Sequence, residues 1–327
     1  MPASSTIPSS PVPPWWQFNG HIQTILPSLL RKVKLHSPRR ERIDTPDGDF
    51  LDLDWYAREA KHLIIISHGL EGDSYRPYVL GMAGIMYEAG YDCLAWNYRG
   101  CSGEMNRQKR FYHSGATDDL HTVLQHVLAQ KKYEAITLVG FSLGGNLTLK
   151  YLGEQGEAAQ GIIQSAATFS VPLNLDSSCT VISQPGNWVY SERFLRSLRK
   201  KVKEKEAAMP GTFDLVKLEQ IKTLREFDDH FTGPMHGFRD AVDYYTQCSS
   251  IHFLDGIRVP TLVVNALNDP FLAPDCFPEA AYRDHPHIRM ECPVKGGHVG
   301  FRHRKLSPWY WSEHRALDFV RQIAVKQ

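Results

Sequence analysis

The sequence predicts an α/β fold, a mostly parallel eight-stranded sheet with helices on both of its faces. Two observations lead to this class. From residue 62 to residue 170, short apolar runs alternate with longer segments of helical character, the pattern of consecutive strand–helix–strand units. That alternation stops at residues 171–250 and then resumes. We therefore predict one core, residues 15–170 and 251–327, with a helical insertion at 171–250 and a flexible N-terminal arm at 1–14.

The individual elements follow from the apolar pattern along the chain. Residues 40–56 alternate apolar and polar positions around Asp47-Gly48, a strong β-hairpin signal. Continuous apolar runs such as L-I-I-I-S are typical of parallel strands covered on both faces. Further strands are predicted to begin at residues 62 and 135 and to span 91–98, 161–166, 259–266 and 288–292. Helical segments are predicted at 77–89, 117–130, 146–152, 190–208, 213–227 and 309–325.

Composition and charge exclude several classes of partner. The chain has 327 residues, of which 42 % are hydrophobic and 22 % are charged, as in ordinary globular proteins. A formal net charge of +1 gives no general attraction to nucleic acid or to an anionic membrane. Six cysteines without a C-x-x-C pair are typical of reduced thiols, and no metal-binding spacing occurs. We expect no nucleic acid, metal or cofactor, and the sequence carries no signal for an oligomeric state.

The N-terminus has the composition of neither a targeting signal nor an anchor. Residues 1–14 are rich in proline and serine, without the cationic start and apolar centre of a signal peptide. Residues 14–31 are too apolar to remain free and are expected to pack on the core. No window reaches the roughly 18 consecutive apolar residues that a membrane span needs. We therefore predict a cytoplasmic protein without an integral membrane anchor.

The strand that begins at residue 135 runs directly into a glycine-flanked serine. The string G-F-S-L-G places Ser142 between Gly140 and Gly144, two residues away on each side. A turn sharp enough to lift a serine hydroxyl above the sheet brings backbones together and leaves no room for a Cβ. The segment that follows is predicted to be helical, so its N-terminal amides would face the serine. Ser142 is therefore the candidate nucleophile.

Two further residues follow later strands of the predicted sheet. Asp269 comes just after the strand at 259–266, and His298 comes just after the strand at 288–292. Ligands in such folds bind beyond the carboxyl ends of the strands. The order serine, aspartate, histidine supplies a nucleophile, a carboxylate that orients the imidazole, and the imidazole that moves the proton. Asp275 is a poorer rival, since it lies farther beyond its strand.

A nucleophilic serine also needs backbone N–H donors for the oxyanion. Leu143 follows the serine and is the first candidate, and Leu70 in H-G-L-E-G, after the third strand, is the second. His68 of that turn is interpreted as structural.

A second string, H-S-G-A-T-D, allows another interpretation. Its His113 and Asp118 have the H-x-x-x-x-D spacing found in some unrelated acyltransferases. The string also stands directly before a predicted helix, where Thr117 and Asp118 are ordinary capping residues. The structural interpretation is favoured, and acyl transfer stays open.

With these motifs, the chain resembles the YheT-like branch of the α/β-hydrolase superfamily, which includes bacterial hydrolases, fungal medium-chain ethyl ester synthase/esterases and animal α/β-hydrolase-domain lipases. The matching strings are F-N-G-H-I-Q-T-I-L-P, S-H-G-L-E-G, N-Y-R-G-C-S-G, Y-H-S-G-A-T-D-D-L, G-F-S-L-G-G-N and N-D-P-F. The resemblance implies the α/β-hydrolase fold and a serine esterase with Ser142, Asp269 and His298 as triad. It also implies short- to medium-chain acyl esters as substrates. The chain lacks the N-terminal membrane segment of the eukaryotic members and in this is similar to the bacterial type.

The functional prediction is a cofactor-independent carboxylic ester hydrolase that forms an acyl-serine intermediate. Two alternatives remain: acyl transfer or alcoholysis by the same triad, and a non-catalytic binding protein on the same fold. The insertion is interpreted as a lid over the pocket. Its aromatic residues are the candidate pocket liners: Trp188, Phe194, Phe213, Phe227, Phe231, Phe238, Tyr244 and Tyr245.

Overall fold

One eight-stranded sheet forms the centre of the molecule. The structure is a computed structural model that describes residues 8–325. The strands are β1 (Arg39–Asp44), β2 (Phe50–Tyr56), β3 (His62–Ser67), β4 (Asp92–Asn97), β5 (Ala135–Phe141), β6 (Ser165–Phe169), β7 (Thr261–Val264) and β8 (Ile288–Glu291). Their order across the sheet is β1-β2-β4-β3-β5-β6-β7-β8.

The sheet is parallel apart from its first two strands. β1 pairs antiparallel with β2, and β2 pairs antiparallel with β4. All other neighbours are parallel, with β5 held between β3 and β6. Side chains of β3 and β5 are buried on both faces, which explains their uninterrupted apolar sequence. The predicted fold class is confirmed.

Helices cover both faces of the sheet. They are α1 (Gly20–Leu30), α2 (Pro77–Glu88), α3 (Thr117–Ala129), α4 (Leu143–Gln155), α5 (Leu175–Ile182), α6 (Trp188–Ala208), α7 (Leu215–Gln220), α8 (Leu224–Phe227), α9 (Gly233–Met235), α10 (Ala241–Cys248), α11 (Glu279–Arg283) and α12 (Trp311–Val325). Apolar side chains of α2 and α12 pack on one face of the sheet. Those of α3, α4 and the segment between β6 and β7 pack on the other face. The sheet is therefore the middle layer of three.

Two predicted elements differ from the structure. The strand predicted at 161–166 begins instead at Ser165, because the amides of Ile162 and Ile163 close a turn on the carbonyl of Ala159. The helix predicted at 213–227 is divided into α7 and α8. Thr223 caps the second helix in a capping box with Glu226, and this requires an extended backbone at the break.

The predicted insertion at 171–250 contains α5 to α10. Between β6 and β7, the residues that the structure describes form no strand. Two backbone carbonyls of the predicted N-terminal arm accept hydrogen bonds from the core. The carbonyl of Pro8 accepts from the Trp311 indole at 2.7 Å, and the carbonyl of Val12 accepts from the Arg304 amide at 2.8 Å. Residues 8–14 therefore lie against the core, and residues 1–7 of the predicted arm lie outside the described residues. Among the helices of residues 8–325, none has the length and apolar character needed to cross a membrane.

Candidate active site

Ser142 stands at a strained turn between β5 and α4. Its backbone has φ 53° and ψ −120°, in the left-handed half of conformational space that costs a non-glycine residue of order 1–3 kcal/mol. A Cβ on Gly144 would lie 2.4 Å from the carbonyl oxygen of Ser67, and one on Gly140 would lie 2.4 Å from the carbonyl oxygen of Gly144. Both glycines are therefore required by the close approach of the helix to the strands.

The structure brings Ser142, His298 and Asp269 into one hydrogen-bonded line. His298 Nε2 lies 2.9 Å from Ser142 Oγ, and His298 Nδ1 lies 2.9 and 3.1 Å from the two carboxylate oxygens of Asp269. The Asp269 side chain is fully buried, and that of His298 is 9 % exposed. A carboxylate at Nδ1 places the ring proton there and leaves Nε2 free to accept the serine proton.

Asp275, the rival carboxylate, serves another purpose. It accepts hydrogen bonds from Asn174 and Ser177 at 2.7 Å each, at the start of α5. Asp269 instead accepts the amide of Phe271 at 2.9 Å, and the Phe271 ring packs at a tilt of 33° against His298, with 4.1 Å between ring centroids. The loop after β7 therefore carries both the Asp269 carboxylate and the aromatic ring that packs against the His298 imidazole.

The two predicted oxyanion donors lie at turns next to the serine. No acceptor among residues 8–325 takes the backbone N–H of Leu70 or of Leu143. Leu143 is the first residue of α4, where N–H groups have no partner within the helix. A Cβ on Gly69 would lie only 3.2 Å from Ser142 Cβ, so the turn that carries Leu70 lies next to the serine. We call this turn, residues 68–72, the oxyanion turn.

His68 supports that turn from beneath. It is completely buried, and its Nδ1 donates to the carbonyl of Gly69 at 2.8 Å. Its Nε2 accepts the amide of Tyr98 at 3.2 Å, and the Tyr98 hydroxyl donates to the His68 carbonyl at 2.7 Å. Burial lowers the pKa of His68 to about 3, so the ring is neutral with its proton on Nδ1.

We expect His68→Asn to reduce the acid sensitivity of the fold. The His68 pKa falls from 6.5 to about 3 on folding, so between these values the unfolded chain binds more protons. The free energy of unfolding of the wild type should therefore decrease with falling pH, by roughly one kcal/mol per pH unit relative to the variant. Urea unfolding across this range measures it, with the exposed His252→Asn as control. Equal pH dependence in wild type and His68→Asn would contradict the assignment.

Glu71 connects the same turn to the insertion. It has a left-handed backbone, with φ 52°, and its side chain is 5 % exposed. Its carboxylate accepts from Tyr112 at 2.7 Å and from Lys201 of α6 at 2.8 Å, and it also accepts the hydroxyl of Ser197. The position of α6 and the position of the oxyanion turn are therefore coupled by a buried charge pair.

Helix α1 contributes residues that the sequence did not indicate. Gln23 Oε1 accepts the amide of Gly296 at 2.9 Å and the side-chain amide of Asn268 at 3.0 Å. Thr24 Oγ1 accepts the amide of His298 at 2.8 Å. These contacts join the loop of Asp269 to the loop of His298. The signal in the sequence is the polar pair Gln23 and Thr24 inside the string F-N-G-H-I-Q-T, an otherwise apolar segment.

A cavity of about 390 Å³ opens beside Ser142 and His298. Its walls come from α1, the oxyanion turn and the start of α6. The apolar or aromatic side chains that line it include Ile25, Leu29, Leu70, Tyr78, Val189, Tyr190, Phe194, Phe271 and Tyr310. Of the eight aromatic residues predicted as liners, only Phe194 is among them. Trp188 is 64 % exposed, and the other six pack within the insertion or against the core.

The string from His113 to Asp118 lies outside this site. The His113 ring packs against those of His236 and Tyr244, with centroids 4.6 and 5.7 Å away. Asp118 is exposed and pairs with Arg110 at 2.5 Å. The structure does not bring the two together with the serine. Across residues 8–325, no three His, Cys, Asp or Glu side chains are grouped as metal ligands.

The fold and this constellation define the class of protein. The chain belongs to the alpha/beta hydrolase family, whose model, described as alpha/beta hydrolase fold, matches residues 62–301. The matched region contains Ser142, Asp269 and His298, and it excludes α1.

Relatives of known name indicate which kind of enzyme within this family the chain resembles. The Escherichia coli protein named "Putative esterase YheT" is 35 % identical over 309 residues, 92 % of this chain and 90 % of its own. The human protein named "Phospholipase ABHD3" is 31 % identical over 299 residues, 88 % of this chain and 73 % of its own. The solved structure of Pyrococcus furiosus esterase Pf2001 superposes with a TM-score of 0.58 over 89 % of this chain and 98 % of that one, and its 15 % identity supports the fold alone. The predicted family and the predicted enzyme class, a carboxylic ester hydrolase, are confirmed.

Proposed function

We propose that the chain hydrolyses short- to medium-chain acyl esters through an acyl-serine intermediate. Ser142 is the nucleophile, His298 is the general base and then the general acid, and Asp269 orients the imidazole. The observation that carries the proposal is the line of hydrogen bonds from Asp269 to Ser142, no longer than 3.1 Å at any link, at the wall of an apolar cavity.

Acylation begins with the serine hydroxyl. His298 Nε2 takes its proton as Ser142 Oγ attacks the ester carbonyl carbon, and the carbonyl oxygen becomes an oxyanion. The N–H groups of Leu70 and Leu143 receive that oxyanion, at the positive end of α4. His298 then donates the proton to the departing alcohol, which leaves the acyl group on Ser142.

Deacylation repeats these steps with water. His298 takes a proton from water, the hydroxide attacks the acyl carbon, and the proton returns to Ser142 Oγ as the carboxylic acid leaves. Asp269 stabilises the imidazolium in both halves of the reaction.

The cavity supports the substrate class. A volume of about 390 Å³ is at the lower end of small-molecule sites, which typically run from about 300 to 1,000 Å³. Its apolar walls Ile25, Leu29, Val189 and Phe194 suit an alkyl chain rather than a polar acyl group. The insertion is part of the proposal as a lid, because α6 supplies one wall.

The direct test is intact mass after incubation with a small fluorophosphonate. We expect one adduct, located on Ser142 by peptide mapping, and turnover of p-nitrophenyl esters that peaks at one acyl length. Product analysis with added ethanol separates hydrolysis from alcoholysis. Folded protein without an adduct would overturn the proposal in favour of a non-catalytic role.

We further expect Thr24→Val to slow the chemical step. The isosteric valine keeps the packing but removes the acceptor of the His298 amide, which leaves this partly buried donor unpaired. The expected loss is about tenfold to a hundredfold in kcat with a nearly unchanged KM for a small ester. Thr24→Ser retains the hydroxyl and should retain the rate. Equal kcat in Thr24→Val and wild type would show that this contact does not position the histidine.

A cytoplasmic location remains part of the proposal. All six cysteines are free thiols, four of them buried, which is compatible with a reducing compartment.

A further inference from the structure

Helix α1 is amphipathic in the reverse of the usual sense. It buries Gly20, Gln23, Thr24 and Pro27, the small and polar side of the helix. Its leucines at the C-terminal end, Leu29 and Leu30, are 66 % and 68 % exposed. A surface helix ordinarily turns its apolar side to the core. The inward polar side is explained by its hydrogen bonds to the loops of the site. Of the apolar residues, Ile25 packs against the core, whereas Leu29 and Leu30 remain exposed.

This exposed apolar side continues onto the insertion. Val189, at the start of α6, is 61 % exposed, and it lines the serine cavity together with Leu29. The two helices are joined beside it, where His21 Nδ1 lies 3.2 Å from the Tyr190 hydroxyl. Leu30 lines an adjoining cavity with Trp16, which is 37 % exposed. We call the surface formed by Trp16, Leu29, Leu30 and Val189, together with Trp188, which is 64 % exposed and precedes Val189 in the chain, the mouth face.

Three arginines that form no ion pair in the described part of the chain line the two cavities at the mouth face. Arg193 lines the serine cavity at its exposed edge, and Arg302 and Arg304 line the adjoining cavity beside Leu30. None of these three has an ion pair within residues 8–325. Among residues 8–325, the only carboxylate that lines either cavity is that of Glu71, which is already paired with Lys201. The net charge of +1 averages over this local excess of positive charge.

We propose that the mouth face docks on an anionic lipid surface, from which acyl esters pass directly into the cavity. Exposed leucine and tryptophan side chains with flanking arginines are the groups that bind the boundary of acyl chains and acidic headgroups. Because Leu29 and Val189 belong to both the face and the cavity wall, a docked lipid has an apolar path to Ser142. The purpose of docking rests on the proposed ester hydrolysis, whereas the binding itself does not.

A second copy of the chain is a poorer occupant of this face. Two mouth faces in contact would bring their unpaired arginines together, and like charges at an interface oppose association. They would also close the cavity that the substrate must enter. An anionic lipid surface can contact the apolar side chains with its acyl chains and the unpaired arginines with its headgroups.

Flotation of the full-length chain with unilamellar vesicles tests the proposal. We expect binding to vesicles of phosphatidylcholine mixed with phosphatidylglycerol, weaker binding to phosphatidylcholine alone, and weakening by salt. The double variant Leu30→Ser/Trp188→Ser should bind about tenfold or more weakly, since both side chains are exposed and neither lines the serine cavity. The control Val216→Ser removes a 72 % exposed apolar residue elsewhere and should bind like wild type.

Turnover of a water-soluble short-chain ester is measured on the same proteins. The double variant should keep that turnover, which separates docking from catalysis. Equal vesicle binding by wild type and double variant, or no vesicle binding by an active wild type, would overturn the proposal. So would a dimer in gel filtration that the double variant abolishes, since it would identify a second copy as the occupant. Vesicle binding without ester turnover would retain the docking and refute the proposed function.

Discussion

Replacing Ser142 by alanine is expected to lower kcat for ester hydrolysis by about 10⁵-fold or more, because no other group can form the acyl intermediate. Residual turnover would come from the N–H groups of Leu70 and Leu143, which still stabilise the attack of water. KM for a small ester should change little, because the cavity walls are retained.

Steady-state kinetics and fluorophosphonate labelling measure this loss together. Labelling should disappear in Ser142→Ala. The variant should not unfold more readily than wild type, since alanine removes only the hydroxyl from a strained turn. Ser183→Ala, an exposed serine at the end of α5, is the matched control and should retain full activity and labelling. Ester turnover that is unchanged in Ser142→Ala would refute the mechanism.

Replacing Asp269 by asparagine is expected to lower kcat by on the order of 10⁴-fold. The asparagine amide can donate to His298 Nδ1, where the carboxylate only accepts. This favours the imidazole tautomer with its proton on Nε2, which cannot accept the proton of Ser142. Packing should be preserved, because the two side chains have nearly the same shape.

Asp275→Asn provides the comparison for this prediction. Asp275 follows the same strand, but it accepts from Asn174 and Ser177 and does not contact His298. The kcat of Asp275→Asn should stay within a few-fold of wild type, whereas that of Asp269→Asn should fall. The opposite result, or equally small effects in both variants, would contradict the assignment of Asp269 as the orienting carboxylate. Circular dichroism of both variants controls for loss of fold.

Much of the site was predictable because its parts are local in sequence. The apolar run of β5, the two glycines and the following helix are adjacent in the chain, so one string specifies the turn at Ser142. Asp269 and His298 were predictable as candidates because the carboxyl ends of parallel strands meet at one edge of the sheet. The preference for Asp269 over Asp275 was also available from the sequence, because Asp275 lies farther beyond the end of its strand, and the contact of Asp269 with His298 agrees with it.

Other parts could not be read from sequence patterns. The aromatic residues of the insertion are abundant, and composition does not distinguish those that face the cavity from those that pack together. Phe194 was in the predicted set, but Val189 and Tyr190 were not, since their exposure depends on where α6 lies. The strand near residue 165 was predicted to begin too early, because Ile162 and Ile163 are typical strand residues although the chain makes a turn there.

The sequence by itself determined the fold class, the order of the elements and the three residues that meet at the carboxyl edge of the sheet. The tertiary structure alone decided the place of α1, its contacts with both loops of the site, and the exposure of its apolar side. The hydrogen bond from Gly296 to Gln23 spans 273 positions of the chain. Such a contact follows from the packing of the whole molecule, because no periodicity within eleven residues of helix specifies which distant loop will meet its polar side.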